Sequence, residues 1–253
     1  MKKHKICKNL LVILAIFLCV AFYELLGICV AYKKQPEVSN TTKKETKNGS
    51  WNECSENTER AVIIEKNPEA LLQRVRLIKN AKKEIILSTF AFQSDESGKL
   101  ILGALHDAAD RGVHIRPLVD GMESWIDMEG NPYFYGLSSH ENVEIKLYNK
   151  ANPLKSWKMM GRMHDKYLIA DGKRYILGGG GRNTYNYFLG DFPGHKNYDR
   201  DVLVVCDEPE KENSVNQLSE HFEIIWNQED SGYFHNNKKL ANRKSVKNAV
   251  LEL

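Results

Sequence analysis

The sequence predicts an α/β domain with a mixed central sheet flanked by helices, preceded by one apolar helix that could cross a membrane. Two observations predict the domain. From residue 59 onward, short strand-like runs alternate with segments whose apolar residues recur at helical spacing. A pair of strands joined by a turn then carries a cluster of polar residues at 164–183. A 23-residue apolar run at 10–32 predicts the separate helix.

The apolar run at 10–32 has one charged residue, Glu24. At 1.5 Å per residue it is long enough to cross a hydrocarbon core of roughly 30 Å. Lysines 2, 3, 5 and 8 precede it, which favours a cytoplasmic segment at 1–9 and an extracytoplasmic domain. We therefore expect a single-pass protein of the cell membrane. A cleaved signal peptide is the alternative, although the run exceeds the usual apolar region of such peptides.

The rest of the chain divides by composition. Residues 33–58 are polar and nearly free of large apolar side chains, which predicts a linker. Residues 59–235 form the predicted domain, and residues 236–253 are interpreted as a basic tail. The predicted strands are 61–64, 84–92, 113–119, 143–148, 166–170, 174–177 and 202–205. The predicted helices begin at Asn67-Pro68, at Ser97 with an end at Gly112, and at Ser214 with an end near Asn227.

The strand at 166–170 contains the start of a phosphate-handling motif. Side chains alternate along a strand, so His164 and Lys166 should project to the same face. This arrangement places a nucleophile beside a cation. Asp171, Gly172 and Lys173 have turn chemistry, which predicts that residues 174–177 return as the second strand of a hairpin.

Four glycines follow the hairpin at 178–181, and Arg182 and Asn183 come next. Glycines remove side chains where backbone must approach a ligand, so Gly180 and Gly181 are predicted to line a phosphate. Arg182 and Asn183 supply donors for phosphate oxygens. The cluster therefore predicts phosphodiester chemistry. Nothing in the sequence has metal-ligand spacing, so we expect no metal and no cofactor.

The pattern H-x-K-x4-D followed by G-G-x-N resembles the motif of the phospholipase D superfamily. The surrounding sequence resembles the N-terminal half of cardiolipin synthase-like proteins. Supporting segments are 86–90, 105–113, 118–120 and 199–204. The resemblance implies a phospholipase D-like layered domain. It also implies a metal-free reaction in which His164 attacks phosphorus to form a phosphohistidine, while Lys166 and Asn183 bind the non-bridging oxygens.

Supporting carboxylates complete the implied site. Asp171, which belongs to the motif, is expected to organise the lysine and the hairpin. A second carboxylate should hold the other nitrogen of the histidine and fix its orientation. Asp201 is the candidate for that role, with Asp199 in reserve.

Two departures from the family pattern bear on the site. Four glycines stand where the family usually has two, which affects the reach of Asn183. The chain also has one such motif, whereas family members need two opposed histidines, because nucleophile and leaving group lie on opposite sides of phosphorus. The second motif could come from a homodimer or from a second-motif partner chain, or the chain could be a shortened product.

Charge separates the candidate substrates. The chain carries a formal net charge of +3, and its first 34 residues hold six lysines and one glutamate, so the remainder is close to −2. A nuclease would more often carry a basic footprint. We expect a phosphodiesterase or phosphatidyltransferase acting on phospholipid head groups at a membrane. The alternatives are an extracytoplasmic nuclease of the same superfamily and a non-catalytic half-domain.

A basic stretch precedes the motif. Lys146, Lys150, Lys155, Lys158 and Arg162 occur without an intervening acid, and Leu154, Trp157, Met159 and Met160 lie among them. The mixture is typical of a membrane-docking surface, and a solvated loop with a few core anchors is the equal alternative.

Overall fold

The computed structural model describes residues 2–33, 39–40, 43–44, 59–178, 188–194, 198–209, 211, 213–235 and 239–253. The chain divides into two compact units. The first unit comprises residues 1–55 and 151–161, and the second comprises residues 56–150 and 162–253.

The first unit contains helix α1, Lys2–Lys33, and a 3₁₀ segment, Pro153–Lys158. The part of α1 from Lys8 to Val30 is 23 residues long and apolar enough to cross a membrane, and within the described residues it is the one such helix. The two elements contact each other where the ring of Trp157 meets Tyr23 edge-on, with centroids 6.2 Å apart. The predicted N-terminal apolar helix is therefore confirmed.

The second unit is built on one mixed sheet. Among the described residues eight strands pair in the order β1-β7-β6-β5-β2-β3-β4-β8. Strands β2, β3 and β4 run parallel to one another, and every other neighbouring pair is antiparallel. The strands are β1 Glu59–Ile64, β2 Glu84–Thr89, β3 His114–Asp120, β4 Lys146–Tyr148, β5 Lys166–Ala170, β6 Arg174–Gly178, β7 Asp201–Cys206 and β8 Ser231–Tyr233.

Helices cover both faces of this sheet. Because side chains alternate along a strand, Ile85 and Leu87 of β2 join one buried cluster, and Ile86 joins the other. The second cluster contains Phe222 and Trp226 from the last predicted helix. The predicted layered α/β fold is confirmed. The helices are α2 Asn67–Asn80, α3 Glu96–Asp110, α4 Gly121–Asp127, α5 Pro132–Ser138, α6 Ser214–Trp226 and α7 Lys244–Glu252.

The predicted basic tail at 236–253 is wrong over α7. This helix buries Val246 and Ala249, although lysines and asparagines dominate the surrounding composition. Its close approach to α5 depends on Gly136, because a Cβ there would lie 2.6 Å from a methyl carbon of Val250. One apolar stripe on a short helix is hidden by the polar residues between its members.

The hairpin between β5 and β6 turns through Asp171 and Gly172, whose φ values are +56° and +61°. The Asp171 carboxylate accepts hydrogen bonds from the backbone amides of Lys82 at 2.9 Å, Lys83 at 2.7 Å and Glu84 at 3.1 Å. Burial alone would raise the pKa of Asp171, but these hydrogen bonds outweigh burial and the pKa lies below its usual value. Asp171 thus ties the hairpin to the start of β2.

Replacing Asp171 with Asn should destabilise the fold, because an amide keeps one acceptor oxygen but loses the charge that strengthens three hydrogen bonds. Asn also tolerates the positive φ, so backbone strain does not contribute. We expect a loss of about 1–3 kcal/mol in the free energy of unfolding at neutral pH, measured by denaturant titration of the full chain in detergent.

The pH dependence provides the control. A folded-state pKa below the unfolded value contributes stability above the unfolded pKa of about 4, and that stability is lost as the pH falls through the folded pKa. The difference between wild type and Asp171→Asn should therefore shrink below about pH 4. A difference that stays constant from pH 7 to pH 3 would contradict this role.

Candidate active site

The site is built at the head of β5, a central strand with β2 on one side and β6 on the other. Met163 is buried and His164 is exposed, and Lys166 begins the strand with only 5% of its surface accessible. Lys166 pairs in register with Thr89 at the end of β2. The strand therefore presents the imidazole to solvent and holds the lysine beneath it.

The ammonium group of Lys166 lies against the imidazole of His164. Its Nζ is 3.0 Å from Nδ1 and 3.3 Å from Nε2, and it donates to the His164 carbonyl oxygen at 2.9 Å. A charged ammonium can only donate, so a hydrogen bond from Lys166 to the ring requires a ring nitrogen that accepts. An accepting ring nitrogen is also what attack on phosphorus requires.

Phe90 completes this side of the site. Its ring lies 4.7 Å from the imidazole of His164, centroid to centroid, and Lys166 Nζ lies 5.7 Å from the same ring. Phe90 follows β2 directly, so the same strand that pairs with Lys166 carries it. The aromatic ring restricts where the imidazole can turn.

Asp120 positions the residues before His164. Its carboxylate is fully buried, and it accepts from the backbone N–H of Met163 at 3.0 Å and from Arg162 at 3.1 Å. It also caps α4 through the N–H of Met122 at 2.9 Å. The last residue of β3 thereby fixes the chain one residue before the candidate nucleophile.

Asp201 does not hold the imidazole among the described contacts. Its carboxylate accepts from Arg74 Nη1 at 2.6 Å, and both side chains are 2% exposed. Gly178 makes room for this pair, because a Cβ there would lie 3.1 Å from Asp201 and 3.2 Å from Arg74. In the described contacts its charge balances a buried guanidinium, and its histidine-orienting role stays a prediction.

Asp199, the reserve candidate, lies in the electrostatic field of Lys166. Burial and the neighbouring Asp201 carboxylate raise the pKa of Asp199, while Lys166 and Arg74 act in the opposite direction. Its backbone N–H approaches the Asn67 side-chain oxygen at 3.5 Å. A half-buried carboxyl group near the lysine therefore comes from the segment just before β7.

Asp171 lies at the other end of β5 from His164 and Lys166. Five residues of extended strand separate it from Lys166, a distance of roughly 16 Å. Its contacts fit the predicted organisation of the hairpin, but its carboxylate binds the amides of residues 82–84 instead of the lysine. The expectation of direct help to Lys166 is corrected on this geometry.

The predicted phosphate-binding residues Gly180, Gly181, Arg182 and Asn183 lie outside the described residues, and their roles stay predictions. Within the described residues no group of three or more His, Cys, Asp or Glu side chains could hold a metal ion. The described site thus consists of the candidate nucleophile His164, the cation Lys166 and the residues that contact them.

The roles of Arg74, Phe90 and Asp120 were not predicted from the sequence. Phe90 and Asp120 carry a usable signal, because each ends or follows a buried strand, where site residues collect in layered α/β folds. Arg74 carries no such signal. It lies within the amphipathic helix α2, and only the fold shows that it is buried.

Comparison with known proteins matches the fold and the motif region. A family model described as cardiolipin synthase, PLD-like domain, matches residues 74–226. Cardiolipin synthase C of Escherichia coli strain K12 is 29% identical over 156 residues, which cover 56% of this chain and 31% of that protein. The chain spans between 28% and 38% of the length of the first curated relatives that it matches.

Two solved structures share the fold. Phosphatidylserine synthase of Haemophilus influenzae Rd KW20 aligns with a TM-score of 0.57 at 17% identity, over 85% of this chain and 48% of that chain. NucT from Helicobacter pylori aligns with a TM-score of 0.51 at 18% identity, over 70% of this chain and 99% of that chain. The fold therefore matches about half of one protein and nearly all of another.

Replacing Asp201 with Asn should unfold the domain more readily, because the buried Arg74 guanidinium would lose the charge of the carboxylate that accepts from its Nη1 at 2.6 Å. We expect a loss of about 3–5 kcal/mol in the free energy of unfolding. The matched control is Asp207→Asn, which breaks an exposed ion pair with Arg60 and should cost less than about 1 kcal/mol. A stable Asp201→Asn variant that has only lost activity would contradict this structural role and support the histidine-orienting role.

Proposed function

The chain belongs to the phospholipase D superfamily, and on that premise we propose that it is a membrane-anchored phosphodiesterase or phosphatidyltransferase acting on phospholipid head groups. Superfamily members are generally phosphodiesterases or phosphatidyltransferases, and the family match covers more than half of this chain. The observation that carries the proposal is the contact between the Lys166 ammonium and the exposed imidazole of His164.

The proposed reaction has two displacements at phosphorus. A ring nitrogen of His164 forms a bond to phosphorus, and the bond from phosphorus to the leaving oxygen breaks. The leaving oxygen takes the electron pair and receives a proton from a general acid. Water or an alcohol then attacks the phosphohistidine, returns a proton to that acid and frees the imidazole.

Lys166 would act on the charge that develops in both steps. Its ammonium rests on the imidazole and on the His164 carbonyl oxygen. The anionic oxygens of a bound phosphodiester compete for the same donor, because charge-assisted hydrogen bonds are stronger than those to a neutral ring. Substrate would thus draw the ammonium away from the nitrogen that attacks and place it on the non-bridging oxygens.

The proposed reaction also needs a general acid, which in this superfamily is the histidine of a second motif. Each of the seven other histidines in the sequence lacks a lysine two residues later. We propose that a second copy of the chain supplies the second motif, so that two His164 side chains face each other across a two-fold axis. A separate second-motif chain is the alternative, and the curated relatives are about twice as long as this chain.

A phospholipid substrate is favoured by charge and by the N-terminal helix. The chain after residue 34 carries a net charge close to −2, which gives little of the basic surface that a nucleic acid needs. The candidate span from Lys8 to Val30 would keep the domain at a bilayer. The basic residues before it favour a cytoplasmic N-terminus at the cell membrane, with the catalytic domain on the extracytoplasmic side.

Replacing His164 with Asn should abolish turnover of a phospholipid substrate in detergent micelles, because an amide cannot form the covalent intermediate. We expect a loss of roughly 10³-fold or more in kcat. His164 is exposed, so the free energy of unfolding should change by no more than about 0.5 kcal/mol.

The matched control is His221→Asn. His221 is also exposed and contacts the neighbouring motif residue, Asp165, at 3.1 Å, but it lies outside the motif. It should retain near wild-type turnover. Equal activity of wild type and His164→Asn would contradict the assignment, and salt-sensitive cleavage of single-stranded DNA without phospholipid turnover would favour the nuclease alternative.

Mixing subunits tests the proposed homodimer. If each site needs His164 from both copies, a dimer of one wild-type and one His164→Asn chain is inactive. Co-expression of the two chains should then give activity that falls as the square of the wild-type fraction. A linear fall would mean that each copy acts without the other, and an inactive wild-type chain would direct the search to a partner chain.

A further inference from the structure

The loop formed by residues 151–161 is flanked by residues of the second unit that hydrogen bonds fix in place. Arg162 donates to the carbonyl oxygen of Asn149 at 2.7 Å, which joins the chain just before the loop to the chain just after it. Arg162 also pairs with buried Asp120, and Lys150 donates to the Tyr233 carbonyl oxygen at 2.7 Å. Both ends of the loop are therefore fixed by hydrogen bonds.

The backbone at Lys150, just before the loop, also packs closely against Gly121 at the start of α4. A Cβ on Gly121 would lie 2.6 Å from the backbone nitrogen and Cα of Lys150, so only glycine lets the chain pass this close to the start of α4. Residues 151–161 themselves belong to the first compact unit.

The loop exposes large apolar side chains together with basic ones. Leu154 is 79% exposed, Met160 59% and Trp157 39%. From Lys150 to Arg162 the chain has four basic residues and no acid. An exposed cluster of apolar residues commonly marks an interaction site, and the flanking positive charge matches an anionic lipid surface.

Contact with α1 indicates the depth of the loop. Trp157 meets Tyr23, which lies seven residues before Val30 at the end of the candidate span. If the 23-residue span is centred in a hydrocarbon core of roughly 30 Å, Tyr23 lies roughly 8 Å inside its boundary. This end of α1 leads into the rest of the chain, so it faces the same side as the domain.

We propose that the 151–161 loop inserts Leu154, Trp157 and Met160 into the bilayer leaflet on the domain side, while Lys155 and Lys158 reach the anionic head groups. A depth of roughly 8 Å agrees with the 5–10 Å at which amphipathic surface elements lie in a bilayer. Long lysine side chains can extend from that depth to the lipid phosphates.

The loop is connected to the candidate site by a short stretch of chain. His164 comes three residues after Gly161, so the loop can be no more than roughly 11 Å from it along the chain. An inserted loop would hold the imidazole close to the plane of the lipid phosphates. This inference rests on the proposed function for its consequence, since it makes a phospholipid within the bilayer the substrate that reaches the site.

Depth measurement tests the insertion without any need for activity. In the full chain, Cys7, Cys19, Cys29 and Cys54 are replaced by Ala, and Cys206 is kept because it is buried. An environment-sensitive fluorophore is attached through Leu154→Cys, and the protein is placed in nanodiscs of phosphatidylglycerol and phosphatidylcholine. Spin-labelled phospholipids with the nitroxide high on the acyl chain serve as quenchers.

The matched control is Leu100→Cys, an exposed leucine on α3 with 51% of its surface accessible. The label at 154 should be quenched by the spin-labelled lipid several-fold more strongly than the label at 100, and iodide in water should show the reverse order. Equal lipid quenching at both positions would overturn the proposal. Protection of position 154 from both quenchers would also overturn it, because the loop would then be covered by protein.

A kinetic arm separates the loop from the chemistry. Leu154→Asp with Trp157→Ser should lower turnover of bilayer phospholipid by about tenfold or more, because the lost apolar insertion is worth that factor. Turnover of a water-soluble phosphodiester should stay unchanged, and Leu100→Asp should affect neither. If no substrate is turned over by the wild type, the proposed function fails, while lipid quenching at 154 still decides the position of the loop.

Discussion

The buried carboxylate of Asp120 is the interaction on which the site depends. It ends β3, caps α4 and binds both Arg162 and the N–H of Met163. A fully buried carboxylate is stable only when its oxygens are satisfied, so these contacts cannot be given up singly without a large cost. The same group therefore fixes Arg162, which follows the 151–161 loop, and Met163, which precedes His164.

After Met163, the alternation of side chains along β5 places His164 and Lys166 on the same side. Lys166 is the first residue of β5, a strand that pairs with β2 on one side and β6 on the other. Its long side chain reaches back to the imidazole of His164, two residues earlier. The second buried charge pair, Arg74 with Asp201, supports the sheet behind this point and does not reach the imidazole among the described contacts.

Much of the fold could be predicted because its signals are local. The hairpin strands, the helix at 214–226 and the juxtaposition of His164 with Lys166 follow from periodicity and turn chemistry. Helices α4, α5 and α7 were missed, since two span under two turns and the third has a lysine-rich surface. The partner of Asp201 could not be predicted, because Arg74 is 127 residues away and its burial is a property of the packed layers.

The central claim is that His164 becomes covalently attached to phosphorus. The most direct test is to quench wild-type turnover of a slow, chromogenic phosphodiester under alkaline conditions, where phosphohistidine survives, and to locate the added mass by peptide mapping. The account predicts that the phosphoryl adduct resides on the peptide that contains His164. An adduct on any other residue, or turnover through a state in which no residue of the chain carries phosphorus, would contradict it.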